Sequence, residues 1–304
     1  MICAISLWMC ILFNYPLSNY ATDLDKITLT IKLDKRQALL AEPIFMKIRF
    51  SNLTERQINL PPFIFGIHGN AEIELMKGKR HIYLLPLAGV YALKIRTLSP
   101  LGEHEEIVNL GLFNKPDIGR YTVRVIYYPL APVGGPGAIA PEGWKELKIV
   151  SNEEQLEIRE PIGEDAQAFK LLTRSVKNYK TLDVYQFYGF NNAEEVVYKY
   201  PKSTYSKYCM LYVGLRYAYR EPIKAVNFLK RLTQEFLDDA LADDAQFYIA
   251  KIWFDHRRFE EAKRELMEFF AKFPNSEFIP RAKELDAKLN ALLNNSEGQS
   301  TQSR

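Results

Sequence analysis

The sequence predicts a multidomain protein in which an all-β domain is followed by an all-α domain. Between Lys26 and Pro161, apolar and polar residues alternate over short segments separated by Gly, Pro or Asn, which is typical of half-buried strands. After Pro161, apolar residues recur every three or four positions, as they do on one side of an amphipathic helix. At 304 residues, the chain is long enough for two domains with separate cores.

Residues 1–21 predict a secretory signal peptide. The run from Ile2 to Phe13 is apolar and uncharged. It fits the ~7–15-residue core of a signal and is too short for a membrane span of ~20 residues. Ala21 suits the residue before a cut, but Asn19 is larger than usual and no basic residue precedes the run, so an uncleaved anchor is the alternative. We expect an exported protein, periplasmic or extracellular, with no integral membrane span after cleavage.

Cysteine content and charge narrow the compartment and the partners. Cys3 and Cys10 lie in the predicted signal, which leaves Cys209 with no internal disulfide partner. An exported protein without disulfides fits a bacterial envelope better than an animal extracellular space. The 40 basic residues nearly balance the 37 acidic ones, so we expect no nucleic-acid partner.

The predicted strands of the β domain, residues 22–161, are short and about ten residues apart, a spacing that favours a sandwich. They cover 27–33, 44–52, 57–60, 71–76, 80–86, 90–98, 105–110, 121–128, 144–151 and 156–161. The segment Asp117–Tyr121 reads Asp-Ile-Gly-Arg-Tyr at the start of a strand. It resembles the tyrosine corner of immunoglobulin-like sandwiches, and the domain is similar to such modules of bacterial exported proteins. The resemblance implies that the Tyr121 hydroxyl bonds to upstream backbone.

The α domain, residues 162–295, is predicted to consist of helices, and the polar tail 296–304 is predicted to be disordered. The helices cover 164–179, 193–203, 204–220, 221–236, two segments within 243–274, and 276–293. The two segments within 243–274 form a hairpin whose small residues Ala250 and Ala262 allow a close approach.

This hairpin resembles a tetratricopeptide repeat, a 34-residue helix–turn–helix unit. The matching positions are Ile249, Ala250, Trp253, Ala262, Leu266 and Pro274. Gln246 departs where the family prefers Trp, and Phe269 departs where it prefers Ala. A second copy aligns through Gly214, Tyr217, Ala225 and Leu229. The longer loops and the Pro-x-Ser after the helices resemble the repeats of cell-envelope proteins, so we expect a tetratricopeptide-like helical-hairpin array of about two full repeats.

The resemblance implies that the first helix of each pair lines a groove for an extended or helical peptide. The corresponding positions are Tyr208, Leu211, Leu215, Tyr219, Asp244, Phe247, Lys251, Phe254 and Asp255. The alternative is that the aromatic members of this set pack against other parts of the protein instead.

The sequence contains no motif that predicts catalysis. The four histidines, His68, His81, His104 and His256, do not have metal-ligand spacing, and no nucleotide-binding or hydrolase motif occurs. We expect a non-catalytic protein with no metal or cofactor.

The predicted function is an adaptor that binds a protein or peptide partner in the bacterial cell envelope. One alternative is an inhibitor or regulator of a secreted hydrolase, acting through the Gly/Pro-rich loop 130–143. Another is a polysaccharide-binding accessory protein that stacks Trp144 and exposed tyrosines on sugars.

Overall fold

The computed structural model of the protein describes residues 24–301, apart from 62, 67–68, 88–89, 94, 96, 132–145 and 190–191. The predicted signal peptide lies outside these residues, as does most of the 130–143 loop. The chain forms two compact units. The first is β-rich, reaches to Glu160 and takes in Lys180–Asp183, and the second is helical and contains the rest from Pro161 onwards.

The strands of the first unit are short, as their sequence spacing predicts. They are β1 Ile27–Leu33, β2 Gln37–Leu39, β3 Phe45–Asn52, β4 Ile58–Asn59, β5 Ile64–Gly66, β6 Ala71–Lys77, β7 Arg80–Leu84, β8 Val90–Ala92, β9 Thr97–Leu98, β10 Glu103–Asn109, β11 Gly119–Tyr127, β12 Ile149–Val150 and β13 Glu154–Arg159. The three-residue strands β2 and β5 were not predicted, because three residues are too few to show an alternation.

The strands form two main sheets around one core. The smaller sheet has the order β1-β3-β10. The larger has the order β2-β13-β11-β6-β5-β8, with β7 paired to β6 and β12 to β11, while β4 and β9 form a separate pair. Every second side chain of β1 is buried. These side chains join those of the larger sheet in one apolar cluster, so burial of alternate residues explains the sequence pattern.

The corner before β11 has the predicted hydrogen bond. The Tyr121 hydroxyl donates to the backbone oxygen of Asp117 at 2.8 Å, and the Tyr121 ring is buried. Gly119 has a φ of 154°, a backbone conformation that L side chains rarely adopt, so glycine suits the turn into the strand.

The helices of the second unit follow the predicted pairs. They are α1 Gly163–Thr173, α2 Val184–Gly189, α3 Ala193–Lys199, α4 Thr204–Tyr217, α5 Pro222–Glu235, α6 Leu241–Asp255, α7 Phe259–Lys272 and α8 Ile279–Thr301. The prediction of a disordered tail from residue 296 is corrected, because α8 continues to Thr301. No proline follows Pro280, so nothing removes a donor from the helical hydrogen-bond ladder.

Helices α4 to α8 form two layers. Each packs against the next along the chain, and α6 also contacts both α4 and α8. We call α4, α6 and α8 the first-helix layer and α5 and α7 the second-helix layer. A Cβ at Gly214 would lie only 2.8 Å from the Leu229 Cγ, so the contact between α4 and α5 requires a residue without a side chain.

The position where the repeat family prefers Trp holds a buried polar network. Gln246 of α6 donates through Nε2 to the Glu265 Oε2 of α7 at 2.9 Å. Lys230 of α5 pairs with the other carboxylate oxygen of Glu265, also at 2.9 Å. Gln246 and Glu265 are both buried. Together with Lys230 they connect three helices through hydrogen bonds.

Within the described part of the chain, no helix is both long enough and apolar enough to cross a membrane.

Candidate binding face of the helical unit

Three of the nine predicted groove residues are buried. Tyr208, Leu211 and Phe247 are only 1%, 3% and 2% exposed. The Tyr208 ring lies 5.4 Å from that of Tyr188, and the Phe247 ring lies 4.8 Å from that of Phe278. The prediction that these three line an open groove is therefore corrected, since their side chains point into the helical unit.

The other six predicted residues are accessible. Leu215, Asp244, Lys251 and Phe254 are half-buried, and Tyr219 and Asp255 are exposed. Lys251 and Asp255 form an ion pair of 2.6 Å one turn apart on α6, an arrangement typical of a solvated helix side. Tyr219 is 87% exposed, which is a large apolar area to leave in water.

A group of side chains from four helices surrounds Tyr248 of α6. Asp244 lies one turn earlier on the same side of α6, and its negative charge acts on the Tyr248 hydroxyl. The Arg281 guanidinium of α8 and the Tyr185 hydroxyl of α2 also lie close enough to act on Tyr248. The Tyr185 ring in turn contacts Tyr212 of α4 at 5.1 Å. We call Tyr185, Tyr212, Asp244, Tyr248 and Arg281 the Tyr248 cluster.

Aromatic contacts position both ends of the Tyr248 cluster. The Tyr185 and Tyr212 rings meet edge to face, with an interplanar angle of 81°. The Arg281 guanidinium carbon lies 5.0 Å from the Phe247 ring centroid and 5.1 Å from that of Phe278. Cation–π attraction therefore stabilises Arg281 in its place.

Burial and nearby carboxylates determine the electrostatics of the cluster. Burial raises the pKa of Asp244 well above its ordinary value, and the negative charges of Asp243, Glu277 and Asp239 add to this effect. Arg281 opposes it. Burial also raises the pKa of Tyr248, with a further contribution from the Asp244 charge. In the folded protein without a partner, the ionised form of Asp244 is therefore disfavoured.

Sequence reasoning selected Asp244 but not the other four members of the Tyr248 cluster. The positional rule of the repeat family selects Phe247, whereas the residue one turn after Asp244 is Tyr248. The spacing of four residues, which places Tyr248 on the same side of a helix as Asp244, is the signal that would have identified it. Tyr185 lies in an aromatic stretch without clear periodicity, and only the fold brings it to α6.

The first unit contains a histidine–carboxylate pair, the feature that an enzyme hypothesis would need. His81 Nδ1 lies 2.6 Å from Glu74, and Arg124 Nε donates to Glu74 at 2.5 Å. Burial alone would raise the pKa of Glu74, but the hydrogen bonds from His81 and Arg124 outweigh it and lower the pKa. Glu74 and Arg124 stand opposite each other on the neighbouring strands β6 and β11. This arrangement favours an ion-pair network that stabilises the sheet.

Two of the remaining histidines, His104 and His256, make separate contacts. His104 contacts Glu106 at 3.1 Å, His256 Nε2 contacts the Ala218 oxygen at 2.8 Å, and His68 lies outside the described residues. Among those that are described, no group of three or more His, Cys, Asp or Glu side chains could hold a metal ion. Burial raises the pKa of the Cys209 thiol well above its ordinary value, which disfavours the reactive thiolate.

The two alternative functions rest in part on residues that the structure does not describe. Residues 132–143 of the proposed inhibitory loop and Trp144 of the proposed sugar-binding surface lie outside the described residues. Both hypotheses stay predictions.

No protein-family model matches the chain, and no curated protein does. Among solved structures, it is similar to a CARDB domain from Pyrococcus furiosus at 10% identity and a TM-score of 0.25, covering 44% of this chain and 87% of that one. The Pseudomonas fluorescens alkylpurine DNA glycosylase AlkC is 10% identical with a TM-score of 0.26, covering 52% of this chain and 43% of that one. The sporulation control protein Spo0M from Bacillus subtilis is 11% identical with a TM-score of 0.22, covering 50% of this chain and 56% of that one. These scores are too low to assign a fold family or a function.

Proposed function

We propose that this protein is a non-catalytic exported adaptor that binds an extended segment of a protein partner in the bacterial cell envelope. The binding surface is the accessible side of the first-helix layer. We further propose that the β-rich unit is an immunoglobulin-like sandwich and that the helical unit is a tetratricopeptide-like array.

One observation carries the functional proposal. The Tyr248 cluster collects aromatic and charged side chains from α2, α4, α6 and α8 around a single half-buried hydroxyl. Tyr185 is 51% exposed, although its ring already contacts Tyr212. Aromatic side chains with a polar end are enriched where proteins bind other proteins, because they contribute apolar area and a hydrogen-bonding group together.

Separate features support the two fold proposals. The Tyr121–Asp117 hydrogen bond has the geometry of a tyrosine corner. The close contact at Gly214 and the full burial of Ala250 and Ala262 have the character of a repeat in which paired helices approach closely. Export is supported by the apolar run of residues 2–13 and by Cys209, a buried cysteine that forms no disulfide.

The experiment is affinity capture from a bacterial envelope extract with the full-length protein and two variants. The double variant Tyr185→Ala, Tyr219→Ala removes two exposed rings next to the first-helix layer, one from α2 and one from the turn after α4. The control Met267→Ala removes an equally accessible apolar side chain, 63% exposed, from the second-helix layer. We expect a partner that the parent and the control capture and that the double variant loses while keeping its helical circular dichroism. A partner that all three capture equally would contradict a binding site on the first-helix layer.

A further inference from the structure

We propose that the Tyr248 cluster binds a cationic side chain, a lysine or an arginine, presented by a basic segment of the partner. This inference rests on the proposed function and specifies the chemistry of the partner at the same face. It is carried by the arrangement of the rings, by the balance of charge around them and by the position of Arg281.

The rings provide surfaces that attract a cation. Tyr185 and Tyr212 meet edge to face at 5.1 Å, and Tyr188 stacks behind Tyr212 at 6.1 Å. Tyr185 is 51% exposed, and its hydroxyl acts on that of Tyr248. Faces of aromatic rings attract ammonium and guanidinium groups by ~0.5–2 kcal/mol, with the larger values where water is excluded.

The surrounding charge selects a cation rather than an anion. Asp244 and its neighbours Asp239, Asp243 and Glu277 place four carboxyl groups at this end of α6 and α8. Arg281 acts on Asp244 from α8, and Lys207 is paired with Asp239 at 2.5 Å. An acidic segment would add to the repulsion among the carboxylates, whereas a basic one would relieve it.

Arg281 demonstrates within the protein itself how a guanidinium is accommodated here. It lies over the Phe247 and Phe278 rings at 5.0 and 5.1 Å and acts on both Asp244 and Tyr248. Asp244 is only half-buried, so a second cation can reach it.

Asp244 has the properties of a binding residue rather than a stabilising one. Its ionised form is disfavoured in the free protein. A bound cation would favour that form, so the free energy that ionised Asp244 costs in the free protein is recovered on binding. Replacing Asp244 by Asn should consequently stabilise the free protein and weaken the complex, two effects of opposite sign that a purely structural residue would not produce.

The test is a selection of random displayed peptides of about 12 residues on the immobilised full-length protein. It is repeated with Asp244→Asn and with the control Glu268→Gln, which removes a negative charge from an exposed ion pair on α7. The best peptide is then measured by fluorescence anisotropy against all three proteins and against the Tyr185→Ala, Tyr219→Ala variant.

We expect the parent and the control to select peptides with a Lys or Arg at a fixed position, and Asp244→Asn to lose that preference. Affinity for the best peptide should fall about tenfold in Asp244→Asn and equally when its basic residue is replaced by Gln. Arg281→Gln, which removes the internal competitor, should bind the same peptide more tightly.

The outcomes separate the two proposals. Selected peptides that bind the first-helix layer but are neutral or acidic would overturn the cation inference and leave the adaptor proposal standing. A basic preference that persists in Asp244→Asn would also overturn the inference. If no peptide is enriched, or the selected peptides bind the double tyrosine variant with unchanged affinity, both proposals fail.

Discussion

Lys115 makes the stability of the first unit vary with pH in the alkaline range. Its side chain is 8% exposed, and its ammonium donates a hydrogen bond to the Leu182 oxygen. Burial lowers the pKa of Lys115 from its ordinary value of 10.5 to about 8, with a smaller opposing effect from Asp183. The folded unit therefore releases this proton at a lower pH than the unfolded chain does.

The direction and size of this pH effect on stability follow from the difference in bound protons between the folded and unfolded states. Between pH 8 and 10.5 the unfolded chain binds more protons at this site than the folded one, so stability rises with pH in this window. One pKa unit corresponds to ~1.4 kcal/mol, so the lowered pKa of Lys115 reduces the free energy of unfolding by about 3 kcal/mol at low pH. About 2–3 kcal/mol of this stability is recovered between about pH 7.5 and pH 10.

The measurement is scanning calorimetry of the parent, Lys115→Met and the control Lys79→Met at these two pH values. Lys79 is exposed in the same unit. Because the variant lacks the titration, the Tm difference between it and the parent should change by about 5–10 °C from pH 7.5 to pH 10, in the direction that favours the parent. The control should show no such change. A difference for Lys115→Met that stays constant with pH would refute the reasoning, since Lys115 would then be hydrated and charged.

Three further predictions concern stability. Tyr121→Phe removes the hydrogen bond to Asp117 and should cost about 1 kcal/mol in urea unfolding, whereas an unchanged midpoint would mean that the corner contributes nothing. Gln246→Leu leaves the buried Glu265 carboxylate with one donor fewer and should cost about 1–3 kcal/mol, so a higher Tm would contradict the importance of this network. For Asp244, whose pKa is raised in the folded state, the parent loses stability as pH rises through that pKa. Asp244→Asn should therefore have a higher Tm than the parent at about pH 7 and lose this advantage near pH 4. An equal Tm difference at both pH values would contradict a raised pKa of Asp244.

Local patterns predicted much of the fold. The alternation in Ile27–Leu33 predicted β1, since one side of the strand faces the core. The hydroxyl bond of Tyr121 was predicted from five residues, because its acceptor, the Asp117 backbone oxygen, lies only four residues earlier in the chain. The short strands β2 and β5 were missed, because three residues are too few to show an alternation, and β2 also depends on the distant strand β13 for its pairing. The extension of α8 was also missed, because polar composition alone does not prevent a helix from propagating.

The candidate site was less predictable than the fold. A positional rule chose Tyr208 and Phe247, but the direction of a side chain depends on which neighbour it packs against, and here those neighbours are Tyr188 and Phe278. Tyr185 reaches the cluster through a tertiary contact with Tyr212. Such a contact between separate helices has no signature in the spacing of residues along the chain.

The most direct test of the adaptor proposal is photo-crosslinking in cells with p-benzoylphenylalanine at three positions of the full-length protein. Positions 185 and 248 lie in the Tyr248 cluster, and position 267 is the control on the second-helix layer. We predict that the same polypeptide is captured from positions 185 and 248 and not from 267, and that mass spectrometry places the crosslink in a basic segment of it. Capture from 267 alone, or different polypeptides from 185 and 248, would contradict a binding site on the first-helix layer.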